Sequence, residues 1–145
     1  MTTTTQKTEL RDPRPFVSPK VWGREIKLLV RDNPFDTVTA VHIFGQAVAY
    51  LITAMEKGGL GLGCGYLVAM GVHAFILDTR NYADFCSRNF YGWFLHHTPE
   101  IDRKNDGTVM RTALIIERNG FAIDWPLWEK DALQCSSCSP GSNCH

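Results

Sequence analysis

The sequence has no excess charge of either sign and little that is typical of a secreted protein. It carries 15 Lys and Arg residues against 15 Asp and Glu residues, so no net field draws it to nucleic acid. Its first residues lack the basic-then-apolar order of a secretory signal. Its five cysteines form no even framework, which favours a reducing compartment over a disulfide-stapled domain.

Motifs of the common catalytic classes are also missing. The sequence contains no phosphate-binding glycine loop, no nucleophile elbow and no pair of carboxylates at a telling spacing. We therefore expect a protein that has no catalytic activity of its own.

Two apolar runs, residues 37–55 and 60–77, are the most prominent feature. The only charged residues between positions 37 and 77 are Glu56 and Lys57, in the break between the runs. Helices of 19 and 18 residues would be roughly 28 and 27 Å long, close to the thickness of the hydrocarbon layer. We therefore predict a mainly α fold, a membrane hairpin of two transmembrane helices. A glycine-rich buried strand is the alternative for residues 66–77.

Small residues recur in the second run. Gly61, Gly65 and Ala69 are spaced four residues apart and would share one face of a helix. In lipid such a face lets two helices approach closely. These three residues therefore predict a helix-packing surface.

Two flanking segments are predicted to be interfacial amphipathic helices. Residues 20–31 place Trp22 on an apolar side whose only charge is Glu25. Opposite it, four basic side chains fall within an arc of about 60°, namely Lys20, Arg24, Lys27 and Arg31. Residues 80–97 are rich in aromatic side chains, Trp93 among them, and predict a second, aromatic interfacial helix. The alternative for both segments is packing on the core of a soluble protein.

The two ends of the chain have other compositions. Residues 1–19 are polar with three prolines and predict a disordered arm. Residues 105–133 predict a small C-terminal β-hairpin unit, because strand-like runs flank the Asn-Gly turn near residues 118–120. Residues 134–145 form a Cys-rich tail.

Two groups of residues are candidate cofactor ligands. His42 and His73 lie equally far from the break between the runs, so an antiparallel hairpin would place them at one depth, as axial ligands of a haem b require. The tail offers four soft ligands for zinc or an iron–sulfur cluster, namely Cys135, Cys138, Cys144 and His145. Neither cofactor is favoured over a structural role for these residues.

The distribution of charge predicts membrane topology and, through it, function. Lys and Arg are frequent on both sides of the apolar runs, which places both termini in the cytoplasm. We expect a non-catalytic integral-membrane subunit of a larger assembly, anchoring or scaffolding partner proteins at the cytoplasmic face of the bilayer. One alternative is a haem-binding electron-transfer membrane subunit. The other is a soluble α+β structural subunit of a viral or phage particle.

Overall fold

The structure is a computed structural model that describes residues 9–59, 61–97 and 106–136, with side chains described up to residue 132. A short 3-10 turn, Arg14–Phe16, precedes the first helix. The described residues then form six helices: α1 (Pro19–Asp32), α2 (Thr37–Lys57), α3 (Tyr66–Leu77), α4 (Thr79–Asn89), α5 (Thr108–Arg118) and α6 (Trp125–Ser136).

Helix α2 is the centre of the bundle and contacts α1, α3 and α5. It begins where the Asp36 carboxylate accepts a hydrogen bond from Thr39 N (2.7 Å) and ends at Gly58, whose φ is 81°. Phe44 is fully buried between the rings of Trp22 and Phe75, at centroid distances of 5.0 and 5.4 Å. Within the described residues α2 alone is long and apolar enough to cross a membrane, and 72% of its apolar window is buried.

The predicted hairpin of two transmembrane helices is wrong, because the second apolar run is not one helix. Helix α3 begins only at Tyr66 and has 12 residues, about 18 Å of helix, which is too short for a bilayer. The residues before it include Gly59 and Gly61, with φ values of 71° and 76°. Such left-handed conformations, which glycine adopts readily, interrupt a helix.

The predicted β-hairpin at residues 105–133 is also wrong, because its described part forms helices α5 and α6. The β-branched residues of α5 suggested a strand, but its buried side chains recur at the three- and four-residue spacing of a helix: Val109, Thr112, Ala113 and Ile116. Packing on the bundle therefore overrides their local preference. The Asn-Gly pair ends α5, with Gly120 at a φ of 94°. Elsewhere in the described chain, extended pairing is limited to a single bridge between Arg11 and Phe121.

Helix α1 packs its apolar side on α2 and α3. Ile26 and Leu29 are buried, and Ser18 caps the helix by accepting a hydrogen bond from Val21 N (3.2 Å). The predicted arm, residues 1–19, is described from residue 9 onward. There the backbone N–H of Arg11 donates to Gly120 O (2.8 Å), which ties this segment to the end of α5.

The predicted aromatic helix over residues 80–97 ends early. Helix α4 ends at Asn89, so the aromatic residues that follow lie outside it. Tyr91, Trp93 and Phe94 among them are exposed to solvent.

Candidate functional site

The aromatic turn, residues 90–94, closes the end of α4 in a conformation that favours glycine. Gly92 N donates to Ser87 O (3.2 Å) and Trp93 N donates to Phe90 O (2.8 Å). The first of these bonds is the outer bond of a Schellman motif, in which the residue after the helix cap is usually glycine. Here that residue is Tyr91, whose φ is 49°, the one positive value at a non-glycine residue in the described chain.

Phe90 packs against the core, whereas three other aromatic side chains of this turn are exposed to solvent. Tyr91 is 96% exposed, Trp93 is 70% exposed and Phe94 is 46% exposed. No charged residue occurs between positions 89 and 97. Exposed aromatic side chains that form one patch are typical of an interaction surface.

The turn is nevertheless anchored to the bundle. The Tyr82 hydroxyl, on α4, donates to Leu95 O (2.6 Å), and the Tyr82 ring meets Phe94 edge to face at 5.2 Å. The Asn89 amide donates to Phe16 O (3.2 Å) and so joins the end of α4 to the N-terminal segment. Exposure of the aromatic rings is thus built into a fixed backbone.

The aromatic groove lies beside the turn and has a volume of about 520 Å³. Its walls come from the 3-10 turn, the last part of α2 and the end of α4. The residues that line it are Phe16, Ile52, Met55, Glu56, Asn89, Phe90, Tyr91 and Trp93. Most of this lining is apolar or aromatic, with a few polar groups, as in sites that bind small molecules or side chains.

Glu56 is held in place at this groove by Arg11 and Asn119. Arg11 donates to both carboxylate oxygens (2.8 and 3.3 Å), and the Asn119 amide donates to Oε1 (3.0 Å). Partial burial opposes ionisation of Glu56, but these hydrogen bonds outweigh it, so the pKa of Glu56 lies below its ordinary value. The guanidinium of Arg11 also lies over the rings of Phe121 and Phe16, at 4.5 and 5.4 Å from their centroids.

The two histidines predicted as haem ligands have separate contacts. His42 Nδ1 lies 2.7 Å from Asp124 Oδ2, at the start of α6. The ring of His73 contacts the ring of His97 at a centroid distance of 5.0 Å. His42 and His73 thus contact different residues. Haem binding by this pair stays a prediction.

The predicted metal ligands lie almost wholly outside the described residues. Cys135 falls in α6, but its side chain is not described, and Cys138, Cys144 and His145 follow the last described residue. Among the side chains that are described, no three His, Cys, Asp or Glu residues are grouped as a metal site requires. Zinc or iron–sulfur binding by the tail therefore stays a prediction.

The predicted stripe of small residues is divided by the start of α3. Gly61 and Gly65 precede the helix and only Ala69 lies in it, so the three share no helix face. A Cβ on Gly65 would overlap the Asp131 side chain, whose oxygens accept hydrogen bonds from Leu67 N (2.9 Å) and Val68 N (3.4 Å). Gly65 thus makes room for a carboxylate from α6 at the start of α3.

The close approach of α2 and α3 depends instead on Gly71, which the sequence analysis missed. A Cβ there would lie 2.9 Å from Ala47 Cβ and 3.0 Å from Ile43 Cγ2. Its spacing of six residues from Gly65 hid it from a search for four-residue repeats.

The predicted membrane-interface residues have mixed surroundings. Lys20 and Lys27 are exposed, and Trp93 belongs to the aromatic turn. The ring of Trp22 packs on Phe44 inside the bundle. Two of the arginines form ion pairs, Arg24 with Asp78 (2.8 Å) and Arg31 with Asp32 (2.7 Å).

A pair of carboxyl groups, the buried Glu25 and the partly buried Asp78, adjoins the first of these ion pairs. Glu25 is fully buried, and within the described residues neither of its oxygens receives a hydrogen bond from an N–H or O–H group. It faces Asp78, which already accepts hydrogen bonds from Arg24 and Asn81. Burial, reinforced by Asp78, raises the pKa of Glu25 to about 9, so the proton of the pair resides on Glu25. Its position among apolar side chains of α1 was the signal in the sequence.

No protein-family model, curated protein or solved structure matches this chain.

Proposed function

We propose that this chain is a non-catalytic subunit of a larger protein assembly, and that it docks a partner protein through the aromatic turn and the aromatic groove. The observation that carries the proposal is Tyr91, which combines a left-handed backbone with a side chain that is 96% exposed. A left-handed conformation costs a non-glycine residue about 1–2 kcal/mol. The exposed ring gains little from folding that could offset this cost.

A bound partner would bury the exposed rings and so offset the cost of the Tyr91 backbone conformation. Tyr and Trp are the residue types that contribute most to protein interfaces, because each buries a large ring with few rotatable bonds. Tyr91 and Trp93 are two residues apart and project from an anchored turn. The groove behind them offers a concave surface for side chains of the partner.

The Tyr91→Gly variant tests the proposal. Glycine accepts the positive φ without strain, so the free energy of unfolding should rise by about 1 kcal/mol. The same change removes the exposed ring, so the assembly isolated with the wild-type protein should be lost. A rise in stability together with a loss of assembly is not expected for a surface residue without function.

Val38→Ala is the matched control, because Val38 is 67% exposed and lies on α2, far along the chain from the turn. It should leave assembly unchanged. We would compare the size of the native assembly in gentle extracts for wild type and both variants. Normal assembly by Tyr91→Gly would remove the support for docking through the turn.

A membrane location is a separate proposal, and it concerns α2. This helix could meet lipid only if α1, α3 and α5 moved away from it, since most of its apolar window is buried. A single crossing would also place the termini on opposite sides of the membrane. We therefore propose a peripheral position at the membrane, with α2 kept inside the bundle. Carbonate extraction should release the protein, and its retention in the membrane pellet would contradict that position.

A further inference from the structure

The aromatic groove combines one negative charge with several aromatic faces. Glu56 is the single charged residue among those that line it, and Phe16, Phe90, Tyr91 and Trp93 supply the rings. The negative faces of aromatic rings attract cations, and a carboxylate beside them adds to that attraction. The chemistry of this lining is therefore complementary to a basic side chain.

A cation is already held against one wall of the groove. The Arg11 guanidinium bonds to Glu56 and lies over the ring of Phe16, and both of these residues also line the groove. An ionised carboxylate offers about four lone-pair sites. Arg11 and Asn119 use three of them, so the carboxylate retains acceptor capacity.

We infer that the groove receives a lysine or arginine side chain of the docked partner, held between the exposed rings of the turn and the carboxylate of Glu56. This inference rests on the proposed docking function and adds the chemistry of the partner segment. Tyr91 and Trp93 provide ring faces for the cation. The apolar part of the groove, formed by Ile52 and Met55, accommodates the aliphatic stem of the same side chain.

A pair of small probes tests the inference on the full-length protein. Nα-acetyl-lysine amide and Nα-acetyl-norleucine amide have nearly the same length and differ chiefly in the charged end. Their binding is followed by the NMR signal of the Trp93 indole N–H, assigned with the Trp93→Phe variant. We expect the lysine probe to bind about fivefold more tightly than the norleucine probe, and equal affinities would overturn the inference.

Two charge variants should change binding of the lysine probe in opposite directions. Glu56→Gln should weaken the preference for lysine over norleucine and leave only the part that the aromatic rings contribute. Arg11→Gln removes a competing cation from the same carboxylate, so it should strengthen lysine binding. If Arg11 and Glu56 only shaped the groove, both substitutions would weaken the lysine probe, and that result would overturn the inference.

Failure of this inference can be distinguished from failure of the docking proposal. Equal binding of the two probes removes the preference for a cation and leaves the assembly defect of Tyr91→Gly as it is. Normal assembly by Tyr91→Gly removes the docking surface whatever the probes show.

Discussion

Helix α2 and the aromatic turn are both apolar, but the fold treats them in opposite ways. Phe44 of α2 is completely buried, whereas Tyr91 of the turn is almost completely exposed. Phe44 contacts two other rings in an ordinary helix. Tyr91 stands in a backbone conformation that glycine would adopt at lower cost.

This difference separates residues that stabilise the fold from residues that serve an interaction. Burial of α2 removes apolar surface from water and so drives folding. The exposed rings of the turn remain largely in water in both the folded and the unfolded state, and they contribute little to stability. The predictions below test this separation, from the largest expected effect to the smallest.

The first prediction compares one ring from each region. Phe44→Ala should lower the free energy of unfolding by about 3–5 kcal/mol, because it leaves a cavity between Trp22 and Phe75. Trp93→Ala should change the same quantity by less than about 0.5 kcal/mol. Urea denaturation of both variants measures the difference. Comparable losses would mean that the turn belongs to the core.

The second prediction concerns pH. Glu25 has a pKa near 9 in the folded protein and an ordinary value of 4.5 when unfolded, so the folded state holds the extra proton between these values. The contribution of Glu25 to the free energy of unfolding should therefore be greatest below pH 4.5. It should fall by about 1 kcal/mol per pH unit until about pH 9.

Asp78 acts in the opposite direction at lower pH. Hydrogen bonds from Arg24 and from the protonated Glu25 lower its pKa below the ordinary value of 3.8, so its contribution is lost as the pH falls below that value. Glu25→Gln should remove the decline above pH 4.5 because the amide is neutral and can still donate to Asp78. Denaturation curves at several pH values test this, and an unchanged slope would contradict a buried proton on Glu25.

The third prediction compares two glycines. Gly65→Ala should lower the free energy of unfolding by about 2 kcal/mol, because its Cβ would displace the Asp131 carboxylate from the start of α3. Gly23→Ala, in α1, has nothing within 4 Å of the new Cβ and should raise stability by up to about 1 kcal/mol. Thermal unfolding should move in opposite directions for the two variants. A shift of the same sign would mean that Asp131 readily finds another position.

Several elements could be predicted because their signals are local. The sequence predicted helices over residues 20–31 and 37–55, and α1 and α2 occupy these positions. The Asn33-Pro34 break, the Asp36 cap and Gly58 mark their ends by short-range sterics and hydrogen bonding. The candidate site was not predicted as such: Trp93 was expected at the membrane interface, and the groove was not expected.

The features that the sequence did not reveal depend on contacts between distant residues. Asp131 meets the start of α3 from a position 64 residues away from Leu67, and Arg11 reaches Glu56 across 45 residues. No residue near Gly65 in the sequence indicates that Gly65 accommodates the Asp131 carboxylate. The helical conformation of α5 likewise depends on packing against the rest of the bundle, which its local sequence does not indicate.

By itself, the sequence determined which segments are apolar, where α1 and α2 begin and end, and that Glu25 is a charge among apolar neighbours. Only the tertiary structure decided that α2 is covered by other helices, and that the aromatic rings after α4 are left exposed. The reason is that the hydrophobic effect is not directional. It requires apolar surface to leave water, but lipid, a neighbouring helix and a partner protein satisfy that requirement equally well.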